Sequence, residues 1–125
     1  MEAAVVLGWD WRPIHFHTPA GRTGGSLPDS HDLWSVIWEN RRRVLGVAHS
    51  HPGSGMPAPS HEDVTTFSAV ERGLGVRLIW PIVTLDSARA FVWQGPGPLA
   101  YGDWIVPLDA AMQEAWINEL LRLSR

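Results

Sequence analysis

The chemically richest stretch of the chain is Ala48-His49-Ser50-His51-Pro52, followed by Pro59-Ser60-His61-Glu62-Asp63. On a strand, residues i and i+2 point to the same face, so His49 and His51 present two imidazoles side by side. Two neutral imidazoles and one carboxylate oxygen, from Asp63, make a three-ligand zinc set with a fourth position open for water. Asp63 falls in the first turn of a helix that Ser60 opens, and the Pro-rich loop between could fold that turn back against the strand end. The chain has no cysteine. Thiol nucleophiles, disulfide frameworks and cysteine-ligated zinc are therefore excluded, and a metal site must use His, Asp or Glu. Each residue also has a plainer reading. A His-x-His pair is often only a surface or structural pair, and Ser60-x-x-Asp63 is also a variant of the helix capping box. His61 and Glu62 would then be solvated first-turn residues.

Other patterns carry less. His15-Phe16-His17 is a second i, i+2 imidazole pair, read as an exposed strand face, with a second metal as the alternative. Gly24-Gly25 is internal and reads as loop chemistry. Arg41, Arg42 and Arg43 fall in the expected last turn of a helix, where positive charge meets the negative end of the helix dipole, so they do not imply nucleic acid. All ten basic residues are Arg. With no lysine there is no Schiff-base former and no internal acceptor for an isopeptide bond. The eight Trp residues read as core and interface mass.

The elements that must position these groups follow from pattern and punctuation. With 125 residues, 45% of them hydrophobic, the chain suits one domain with one core. It is too apolar for disorder and lacks the run a membrane span needs. No signal peptide is visible, so a cytoplasmic protein is expected. A formal charge of −3 gives no reason to expect nucleic acid or an anionic membrane as partner. Strands are expected over residues 3–9, 12–18, 44–51, 76–83, 88–94 and 99–106. Helices are expected from Asp29 or Ser30 to about Arg43, from Ser60 to Arg72 with Gly73 ending it, and over 109–123, with Met112, Trp116, Leu120 and Leu123 inward. Residues 19–30 and 52–59 are loops. The pattern is a mixed α/β domain with more strands than helices and a largely antiparallel second half.

His49-Ser50-His51-Pro52, a Gly/Pro loop and Pro59-Ser60-x-x-Asp63 together resemble the signature of the MPN+/JAMM (JAB) zinc metalloprotease family, in its compact prokaryotic form. The resemblance implies that family's fold, a curved mixed sheet flanked by helices with cytidine-deaminase-like architecture. It implies a zinc held by His49, His51 and Asp63, with Ser60 beside the bound water. Eleven residues separate His51 from Asp63, one more than the family's usual interval, which places the extra residue in the loop between Gly53 and Ala58. The family's catalytic glutamate precedes an apolar strand ending in Gly, and Glu2-Ala3-Ala4-Val5-Val6-Leu7-Gly8 has that form. Glu39 and Glu62 are the competing candidates. No helix precedes Glu2 here, so it requires tying down by the closing helix, by a partner chain or by residues upstream.

The function so implied is that of a zinc-dependent peptidase or isopeptidase, deubiquitinase-like, acting after the C-terminal Gly-Gly of a ubiquitin-like protein or sulfur carrier. Glu2 would be general base and then acid, and Ser60 would donate to the oxyanion. The loops 19–28 and 52–59 would wall a groove in which the substrate tail adds as a strand. A homodimer through exposed Trp is left open. The alternatives are a zinc peptidase acting on cell-wall or phage-associated peptides, and a non-catalytic interaction scaffold.

Overall fold

A computed structural model describes residues 2–18, 31–51, 53–103 and 110–125, with side chains of 110–114 excepted. The chain runs β1 (Ala4–Gly8), β2 (Pro13–His17), α1 (His31–Glu39), β3 (Val44–Ser50), α2 (His61–Leu74), β4 (Trp80–Val83), β5 (Ala88–Trp93), β6 (Tyr101–Asp103) and α3 (Ala110–Leu123). The six strands form one mixed sheet in the order β2-β1-β3-β4-β5-β6. Only β3 and β4 pair parallel, and α2 is the crossover that parallel pairing requires. The architecture is therefore mixed α/β, as the alternation of patterns indicated, and the second half is antiparallel. The expected loop 19–30, with Gly24 and Gly25, lies outside the described residues.

The sheet is covered on both faces, which is why β1 and β3 are apolar almost without interruption. Ala4, Val6 and Val47 face one core with Ile37 of α1 and Phe67 of α2. Ala3, Val5, Leu7 and Ala48 face the other, with Trp116 and Leu120 of α3. Trp116 and Leu120 are buried as the closing-helix pattern required, while the side chain of Met112 is not among those described. Among the described residues, no helix is long and apolar enough to cross a membrane.

Two helix ends and one strand face differ from expectation. Helix α1 ends at Glu39 rather than near Arg43, because the Asn40 side chain turns back to the Val36 carbonyl at 2.8 Å and the chain leaves in a turn. The arginines follow the helix instead of closing it, although Arg41 still donates to the Trp38 carbonyl at 2.9 Å. Helix α2 passes through Gly73 and ends at Gly75, whose φ of 73° is the left-handed conformation of a helix C-cap. Gly73 serves packing: a Cβ there would stand 2.7 Å from Cη2 of Trp34 on α1. His17, expected on an exposed face, is 6% exposed, because its register partner Ala4 lies on the face that the α1–α2 core covers.

At the far end of α2, Glu71 is 3% exposed and anchors the helix to the sheet. Its carboxylate accepts from Arg77, from the Leu78 N–H and from the Trp80 indole, each at 2.9 Å, and from the Tyr101 hydroxyl.

Candidate metal centre

Strand parity builds the site. In β1–β3 the antiparallel register pairs Ala4 with His49. Continuing that register past the strand end sets Ala3 opposite Ser50 and Glu2 opposite His51. Glu2, Ala4, His49 and His51 thus share the face beneath α2, while Ser50 points to the α3 face. Three donor atoms draw together there. His49 Nε2 is 2.9 Å from His51 Nε2, His51 Nε2 is 3.0 Å from Asp63 Oδ2, and His49 Nε2 is 3.4 Å from Asp63 Oδ2. Glu2 Oε1 stands 3.6 Å from His51 Nε2. Ligand atoms of all four residues lie within 4.8 Å of one another.

This set fits a metal ion by its dimensions. A circle through the three close donors has a radius of about 1.8 Å, so a point ~2.0–2.2 Å from all three, the distance zinc keeps to His and Asp, lies just outside their plane. The chemistry of the donors points the same way. Two imidazole nitrogens and a carboxylate oxygen, all electron-rich, approach this closely only if protons or a cation are shared among them.

Asp63 reaches the site from the first turn of α2. Its N–H donates to Ser60 Oγ at 3.1 Å and its Oδ2 accepts from the Ser60 N–H at 2.9 Å, a complete capping box. The plainer reading of Ser60-x-x-Asp63 and the ligand reading are satisfied by one carboxylate oxygen. The cap also fixes that carboxylate, since a side chain bonded to its own helix terminus has little freedom left. Burial pushes the Asp63 carboxyl up, but hydrogen bonds from His49 and His51 and the Ser60 amide outweigh it and hold the group well below the ordinary carboxylate range. The Asp63 hydrogen bond in turn raises His51, against the effect of its burial. Glu2 is 2% exposed, and burial raises its carboxyl despite the two neighbouring imidazoles.

The structure therefore brings together Glu2, His49, His51 and Asp63, and leaves the competitors out: Glu39 and Glu62 are exposed. Ser60 stands at the rim, its oxygen engaged by the Asp63 amide and its O–H proton still available to donate. The loop that holds the extra residue is pinned at Gly55, whose N–H donates to Asp86 at 2.8 Å and whose carbonyl accepts from Thr84 at 2.7 Å. The expected opposite wall, residues 19–28, is outside the described residues. Ser50 was passed over in the sequence, although a polar residue amid a buried strand between two candidate ligands is itself a signal, since a buried hydroxyl needs a partner. The chain matches no protein-family model, and no characterised protein matches it in sequence.

Proposed function

We propose that the chain is a zinc metallopeptidase of MPN+/JAMM type, with His49, His51 and Asp63 as metal ligands. The observation that carries this reading is the convergence of those three donors with Glu2, residues spread from one end of the sequence to its middle, at one end of the sheet. Bound zinc supplies Lewis acidity: it brings the pKa of a coordinated water down to about 7 and polarises a carbonyl. Glu2 takes up the proton of the attacking water and later delivers it to the leaving amine. Burial suits it to this role, because a carboxylate with raised proton affinity is a better base near neutral pH. The Ser60 hydroxyl donates to the oxygen on which negative charge develops. An amide needs both a stronger nucleophile and a protonated leaving group, and the four residues address both without a covalent intermediate.

The substrate reading follows the resemblance of the motif: a peptide or isopeptide bond after the Gly-Gly end of a ubiquitin-like protein or sulfur carrier. Glu2→Gln should keep the zinc and lower kcat by roughly 10² to 10⁴ on a Gly-Gly-tailed fusion protein. Full activity of that variant would remove Glu2 from the mechanism. Turnover of cross-linked cell-wall peptides, with none of the tailed fusion, would overturn the substrate class and keep the chemistry.

A further inference from the structure

Glu2 is 2% exposed and its neighbour Ala3 is 0% exposed. The backbone next to Glu2 is bonded from the other face of the sheet, by Ser50. We propose that Ser50 and Ser124 are positioning residues for Glu2: a chain of hydrogen bonds from the end of α3 through the Ser50 hydroxyl holds the backbone from which the Glu2 carboxylate reaches the metal ligands. The proposal rests on Glu2 being the general base.

The Ser124 hydroxyl lies 2.7 Å from the Leu120 carbonyl, whereas the Ser50 hydroxyl lies 3.4 Å from the Ala3 carbonyl. The arrangement that keeps the shorter of these bonds has Ser124 donate to Leu120 and Ser50 donate to Ser124. The remaining acceptor capacity of Ser50 Oγ takes the Ala3 N–H at 2.9 Å. The Ser50 amide closes the loop by donating to the Ala3 carbonyl at 3.0 Å. Ser50 thus grips both backbone groups of Ala3, and Glu2 is the next residue out. Without Ser124, the other acceptor for the Ser50 proton among the described residues is the Ala3 carbonyl at 3.4 Å, longer than an ordinary O–H···O bond.

Parity makes this support separable from metal binding. His49 and His51 face α2, whereas Ser50 faces α3, where Ser124 meets it from the end of that helix. A fault in the chain shifts the base and spares the metal. Displacing a catalytic group by about 1 Å can cost as much as 10² in rate, and loss of one hydrogen bond at the support should cost kcat about tenfold.

The test uses Ser124→Ala and Ser124→Thr in the zinc-loaded full chain, each in the native and in the Glu2→Gln background. Expected for Ser124→Ala are unchanged zinc content, KM within about twofold, kcat down about tenfold, and Ala3 amide exchange about tenfold faster with Val6 unchanged. Ser124→Thr, which keeps the hydroxyl, should restore both. In the Glu2→Gln background Ser124→Ala should cost nothing further, because the group being positioned is gone. An equal loss in both backgrounds, or Ala3 exchange unchanged by Ser124→Ala, overturns the proposal. Full activity of Glu2→Gln alone instead overturns the base reading, and Ala3 exchange, which needs no substrate, still decides the tether.

Discussion

At the scale of residues, the site is a matter of parity and interval. The sheet places Glu2 and His51 opposite one another because both lie one step beyond the Ala3–Ser50 pair, and a shift of register by one would turn Glu2 to the α3 face. The candidate ligands were legible in the sequence because each interval has a local meaning: i, i+2 on a strand for His49 and His51, and N-cap to N3 for Ser60 and Asp63. Glu2 was singled out only through the family resemblance, which expects a glutamate ahead of an apolar strand ending in Gly. Ser50 was not, because its partner Ser124 is 74 positions away and no local pattern connects them. His17 was misread for a related reason, since alternation within β2 does not say which face the helices cover. Its burial supplies a test. Desolvation, with His15 adding to it and Asp32 opposing, lowers the His17 pKa below the ordinary 6.5. Above about 6.5 His17 is neutral folded or unfolded; below that the unfolded chain binds the proton more readily, so stability falls as pH falls toward the folded pKa. Urea unfolding of the native protein and of His17→Leu at pH 7.5 and 5.5 should show the native chain losing stability relative to the variant on acidification. A constant difference between them would contradict the burial.

At the scale of elements, helix α2 links sequence to site most directly. Its beginning was legible, because the capping box that starts it also aims Asp63. Its end was read two residues early, because Gly73 has the look of a terminator and is instead the gap into which Trp34 packs. Both ends of α2 are thus held, by Ser60 and Asp63 at the end beside His51 and by Glu71 at the other. Strand β3 depends on a second close approach. A Cβ at Gly46 would overlap the carbonyl oxygen of Ile79, where β3 and the segment leading into β4 come together. Gly46→Ala should therefore destabilise the fold by about 1–3 kcal/mol through backbone displacement. Chemical denaturation measures this directly, and a change below about 0.5 kcal/mol, the usual range for surface substitutions, would contradict the observed register.

At the scale of the whole molecule, the sheet divides its labour between two faces. α1 and α2 bury one face, with α2 supplying the candidate ligand Asp63, and α3 buries the other beneath the segment that runs from Glu2 into β1. The closing amphipathic helix was legible from Trp116, Leu120 and Leu123, but its contribution to the site was not, because that depends on which face of β1 it covers. Leu120 is 0% exposed in the core that it shares with Ala3, and Leu120→Ala should cost about 2–5 kcal/mol in denaturant unfolding. A loss under about 1 kcal/mol would mean that α3 does not pack there. The central claim, that three side chains converge on one cation, is tested most directly by anomalous diffraction at the zinc edge from crystals of the zinc-loaded chain. The account predicts one peak per chain, ~2.0–2.2 Å from His49 Nε2, His51 Nε2 and Asp63 Oδ2, and no peak at that position in His51→Ala. An absent peak in the native chain, or one bound by other residues, would contradict it.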